Sequence, residues 1–126
     1  MAVGTNTVTS ANVGGNVTRY TCTWLSDGAG DESANPFAVA SGDIILVKVV
    51  PDAGGTMPDA LYDVYLKDED GIDLLSAVGL DNSQTLGRYL QFTTPFFHDS
   101  VQDLDLVIAG AGAANGGIVY IWVRNV

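Results

Sequence analysis

The chain has 126 residues, 47% hydrophobic and only 16% charged, with 15 glycines, one cysteine and one histidine. That length closes one core rather than two, and the composition is that of a globular domain. Fifteen acidic residues against five basic ones leave a formal charge of −10, which repels phosphate backbones, so sequence-independent nucleic-acid binding is not expected.

The opening residues, MAVGTN, have neither a positively charged segment nor an apolar one, so no secretory signal is expected. No apolar run approaches the roughly 20 residues that span a bilayer, so no membrane partner is expected. Cys22 stands alone, which rules out an intramolecular disulfide and fits synthesis in a reducing cytoplasm.

Residues 1–16 mix Gly, Asn, Thr, Ser and Val without a sustained period. They read as an extended N-terminal arm, or as an edge strand that needs a partner to order it. Residues 17–126 read as a single β-domain. Residues 17–24 form its first convincing strand, with Tyr20, Cys22 and Trp24 on one face and Arg19, Thr21 and Thr23 on the other. Residues 26–36 (SDGAGDESANP) are a loop by every breaker signal. Residues 43–50 are apolar on both faces, as expected of a central strand.

Residues 61–75 (LYDVYLKDEDGIDLL) predict a hairpin. A β-branched and aromatic run meets Asp70–Gly71, which tolerates the backbone of a tight turn, and the apolar pattern then restarts. Residues 88–94 predict a strand, and residues 94–99 (TPFFHD) an aromatic connection. Leu104, Leu106 and Ile108 alternate with Asp103 and Asp105 as a half-buried strand. Residues 110–117 (GAGAANGG) are a turn region. In the last strand Ile118, Tyr120 and Trp122 share one face, and Val119, Ile121 and Val123 the other. No segment sustains a helical period. The expected fold is therefore all-β: an antiparallel β-sandwich, jelly roll or small barrel of about seven to nine strands.

Candidate chemistry is sparse. Asp68, Glu69, Asp70 and Asp73 surround one glycine turn, and hard oxygens suit Ca²⁺. An EF-hand wants glycine sixth and glutamate twelfth; counted from Asp68, Gly71 is fourth and Gly79 twelfth, so the pattern fails. A solvated hairpin tip is expected there, and likewise in the Asp27, Asp31, Glu32 loop. One Cys and one His cannot cage zinc. His98, Asp99 and Ser100 are adjacent, which sends alternate side chains to opposite faces of an extended segment and argues against a triad. Cys22 is expected to fill core space. Gly110, Gly112, Gly116 and Gly117 precede no helix that would hold a phosphate. Trp24, Trp122, Tyr65 and Tyr89 are candidates for a sugar-binding platform, or for core and subunit contacts. No catalytic, cofactor-binding or metal residue is assigned. Strands apolar on both faces point instead to outer surfaces covered by other subunits.

Three segments carry a resemblance. They are residues 20–27 (YTCTWLSD), residues 62–75 (YDVYLKDEDGIDLL), and residues 104–108 (LDLVI) running through the glycine turn into residues 118–124 (IVYIWVR). In order and approximate spacing they resemble small β-rich structural proteins from the virion gene blocks of tailed bacteriophages. The resemblance implies a non-enzymatic virion component, above all a capsid decoration (cement) protein on the head surface. Such a protein is made in the host cytoplasm, binds the major capsid protein, forms a trimer or dimer, and uses an N-terminal arm to bridge capsid subunits. The alternatives are a tail or head-fibre anchoring component, or a carbohydrate- or Ca²⁺-binding β-sandwich.

Overall fold

The computed structural model describes residues 4–90, 96–99 and 102–125. Among them eight strands form: β1 (Thr5–Gly14), β2 (Val17–Leu25), β3 (Gly42–Pro51), β4 (Asp63–Lys67), β5 (Arg88–Leu90), β6 (Phe96–His98), β7 (Asp105–Ala109) and β8 (Gly116–Asn125). A single 3₁₀ turn at Gly54–Thr56 is the one helical feature of the described residues. The all-β expectation holds. The larger sheet has six antiparallel strands in the order β1-β2-β8-β3, with β5 and then β6 along the far edge of β3. Strands β4 and β7 pair as a second antiparallel sheet. Bridges from Glu32 to Ile108 and from Phe37 to Leu104 extend that layer.

The two layers pack as a sandwich around one core. From the larger sheet come Tyr20, Cys22, Trp24, Ile44, Val47, Val49, Val119, Ile121 and Val123; Val64, Leu66, Leu104, Leu106 and Ile108 meet them from the smaller one. Trp24 crosses between layers to Tyr62, ring centroids 5.7 Å apart. These positions alternate along each strand because successive side chains point to opposite faces. Strand β3 breaks its own alternation. Its pairing with β8 jumps between Ile44 and Leu46, a bulge at Ile45 that turns Ile44, Val47 and Val49 to the same buried side.

Of the two readings of residues 1–16, the edge strand describes β1, which pairs residue for residue with β2 before an irregularity between Asn12 and Gly14. From Thr9 to Asn16 every residue is exposed.

The expected hairpin at residues 61–75 is only half realised. Gly71, at φ +79°, makes the turn, and Asp68 N–H donates to the Ile72 carbonyl at 3.0 Å. The return limb, however, keeps a single bridge between Lys67 and Asp73 before the chain coils away. The strand partner of β4 is β7, far along the chain. Likewise the strand expected at residues 88–94 is described only as Arg88–Leu90, because residues 91–95 lie outside the described residues.

Candidate functional site

Strand register assembles an aromatic and cationic surface on the outer face of the larger sheet. Thr21 of β2 lies opposite Tyr120 of β8, Tyr120 opposite Lys48 of β3, and Lys48 opposite Tyr89 of β5. One row along, Arg19 lies opposite Trp122, and Trp122 opposite Leu46. Directly paired residues share a face, so side chains from four strands converge. Tyr120 and Trp122 centroids are 5.8 Å apart, and Tyr89 and Trp122 centroids 6.3 Å. Their planes are tilted by 35° and 40°, neither parallel nor perpendicular.

Each cation rests on a ring. The Arg19 guanidinium carbon is 5.4 Å from the Tyr120 centroid, and Lys48 Nζ is 5.1 Å from the Tyr89 centroid. Such contacts contribute about 0.5–1 kcal/mol where solvent reaches them. The salt bridge of the described residues lies elsewhere, between Arg124 and Asp43 at 3.7 Å. Arg19 Nε is shut off from solvent and has no hydrogen-bond partner. Arg19, Lys48, Tyr89, Tyr120 and Trp122 together line a groove of about 300 Å³. Those five supply two positive charges, donors and three ring faces, but no carboxylate, imidazole or thiol. Hydrogen-bond donors, positive charge and aromatic rings together are the chemistry of a site that could hold an anionic or sugar-like ligand.

The acidic turn has a different use. Asp68 Oδ1 accepts from the N–H groups of Asp70 (2.9 Å) and Ile72 (3.0 Å). Asp73 Oδ1 accepts from Leu66 (3.1 Å) and Leu75 (3.0 Å), and its Oδ2 from Ala77 (3.1 Å). These oxygens satisfy backbone donors that the turn would otherwise strand. Asp70 is exposed, and Glu69 Oε2 reaches Asp103 N–H at 3.4 Å. In the earlier loop Asp27 accepts from the backbone N–H groups of Asp31 (3.1 Å) and Ala29 (2.8 Å), bonds that hold its carboxyl below the ordinary range.

Glu32 departs from the solvated-loop expectation: it is fully buried. Its bridge to Ile108 turns it into the sandwich, where Asn35 Nδ2 donates to Oε1 at 2.7 Å and Oε2 has no partner. Burial pushes its carboxyl up to about 7, with Asp105 adding to the rise. Cys22 lies in the same region, its thiol pushed up to about 12 chiefly by burial and in small part by Glu32.

The remaining candidates disperse. His98 is buried, with Nε2 3.1 Å from the Val39 carbonyl, so that nitrogen carries the proton and donates. Ser100 lies outside the described residues. Residues 110–116 turn the chain from one layer to the other. The turn is pinned where Asn115 Nδ2 donates to the Ala111 carbonyl (2.7 Å) and Ser26 Oγ accepts from Asn115 N–H (3.0 Å). Of the four platform aromatics, Trp24 is core, and Tyr65 sits on the smaller sheet beside Lys67, 5.3 Å from ring centroid to Nζ. Trp122 and Tyr89 do meet. Sequence reading missed that Arg19, Lys48 and Tyr120 would join them; the one available signal was that all three occupy the outward phase of their strands.

Comparison of the chain with protein-family models, with curated proteins and with solved structures gave no match.

Proposed function

We propose that the chain is a non-enzymatic structural protein of a tailed-bacteriophage virion, a capsid decoration (cement) protein that bridges neighbouring major capsid protein subunits. The observation that carries this reading is the outer edge of β1, which among the described residues pairs with no second strand. Its ten residues, TNTVTSANVG, contain no charge and no proline, and β2 is the strand it pairs with. Proteins ordinarily blunt an edge with lysine, proline or a covering loop, because unpaired N–H and C=O groups recruit another strand. An unblunted edge is suited to completion by a second chain through main-chain bonds.

Two further features support the reading. The segments that resemble phage structural proteins fall on β2, on β4 with its turn, and on β7 and β8, the framework of both layers. The charge of −10 suits display on a particle surface, where like charge opposes clumping. In this reading the partners are the major capsid protein and further copies of the chain, as a trimer or dimer.

The test is co-sedimentation with mature capsids stripped of decoration. Saturable binding is expected, weakened at least roughly tenfold by the Thr7→Lys, Thr9→Lys double variant, which places charges along the β1 edge. A chain that folds normally yet never sediments with capsids would sink the proposal.

A further inference from the structure

We infer that the groove between Arg19, Lys48, Tyr89, Tyr120 and Trp122 binds a sugar carrying a single carboxylate, such as a uronic acid at a glycan terminus. The site is separate from the β1 edge, since its residues come from β2, β3, β5 and β8.

Charge is the first reason. The chain carries 15 acidic and five basic residues, yet two of those five line this one groove, which has no acidic lining residue. Among the described residues neither cation pairs with a carboxylate; each is parked on a tyrosine ring instead. Arg19 Nε is buried without an acceptor, so no protein carboxylate holds the guanidinium through that atom. A bound anion is therefore the complement that this surface lacks.

Shape and ring geometry narrow the class. A groove of about 300 Å³ lies at the small end of ligand sites and holds one or two sugar rings. A pyranose has a face of C–H bonds and a rim of hydroxyls. Half-buried Trp122 in the groove lining supplies an aromatic surface for the C–H side, with exposed Tyr89 beside it, and the tyrosine hydroxyls and Lys48 supply hydrogen-bonding groups for the rim. Nucleic acid also stacks on aromatics, but a polymer of phosphates meets the field of the whole acidic surface, whereas one carboxylate meets mainly the two local cations. The same logic disfavours long polyuronates.

The experiment is a titration of the full chain followed by tryptophan fluorescence, since Trp122 lines the groove and Trp24 is sealed in the core. The probes are a glucuronic acid-terminated disaccharide, its glucose-terminated counterpart, and a short oligo-aspartate peptide. Saturable change is expected with the acidic disaccharide and at least roughly tenfold weaker binding of the neutral one. Tyr89→Ala and Lys48→Gln should each weaken the acidic sugar by roughly tenfold while leaving the melting temperature in place. Equal binding of both sugars, no saturation, or binding that survives both substitutions overturns the proposal. So does capture of the peptide alone, which would assign the groove to an acidic protein segment. Capsid binding is read separately, so either outcome leaves the decoration reading distinguishable.

Discussion

Asp73 Oδ1 accepts the Leu66 N–H at 3.1 Å, taking the place on the edge of β4 that the backbone of a returning strand would fill. The same carboxylate gathers Leu75 and Ala77, so the chain curls instead of running on as a strand. Ser76 and Ala77 complete the curl in the left-handed region, at φ 48° and 70°.

Removing that carboxylate should therefore be costly. Asp73→Ala is expected to lower stability by about 2–3 kcal/mol in urea denaturation, because three backbone donors lose a charged acceptor. Asp73→Asn keeps one acceptor oxygen and should cost less. Asp70→Ala, at the exposed tip, should stay within about 0.5 kcal/mol. Equal effects at Asp70 and Asp73 would contradict this division of roles.

Glu32 makes stability depend on pH. Its carboxyl is raised from 4.5 to about 7 in the folded chain by burial, so between those values the folded state binds more protons than the unfolded one. Stability is then fully retained below about 4.5, falls as pH rises, and levels off above about 7. The fall approaches 1.4 kcal/mol per pH unit within the window. Glu32→Gln should flatten that segment of a pH–stability curve and leave the variant the more stable protein at pH 8. An unchanged slope would show that another group sets it.

Cys22 should be inert while the chain is folded. With its thiol pushed up to about 12 and no solvent exposure, thiolate is scarce at pH 8 and the sulfur is out of reach. Iodoacetamide labelling at pH 8 is expected to proceed only through unfolding, and to accelerate in step with urea. Rapid labelling of the native chain would place Cys22 nearer the surface.

Asn82 is expected to be the most sensitive position in the loop that follows the acidic turn. Buried there, it donates to the carbonyls of Tyr62 (3.0 Å) and Gly79 (2.6 Å) and accepts from Arg88 Nε (2.9 Å). Arg88 in turn donates to the Val78 and Leu80 carbonyls. Asn82→Leu is of similar size but makes none of these bonds, and should cost about 3 kcal/mol. Asn82→Asp should also destabilise, since an acceptor would then face two carbonyls. Thermal melts of the two variants check both.

How far the sequence could be read varies with the element. Strand β2 was legible because Tyr20, Cys22 and Trp24 alternate strictly with Arg19, Thr21 and Thr23, and one face is buried as that pattern demands. The turn at Gly71 was legible for a local reason too, as few residues other than glycine accept its backbone. Strand β3 was legible only as a strand. Its apolar run hides the Ile45 bulge, and without that bulge the buried side would have been assigned wrongly beyond Leu46. The partner of β4 was not legible, since the nearer candidate at residues 72–75 carries the better local signal.

Sequence alone determined the all-β class, the places where the chain turns, and an acidic surface, because alternation and turn chemistry act over a few residues. Tertiary structure decided that Trp122 faces outward: β8 is apolar on both faces, and only packing of the second layer buries Val119, Ile121 and Val123 and leaves Ile118, Tyr120 and Trp122 on the outer side. It also decided that Arg19, Lys48, Tyr89, Tyr120 and Trp122 meet. That meeting depends on the register of four strands drawn from distant parts of the chain. Register is set by which faces can be buried together, a property of the assembled sheets that no local stretch contains.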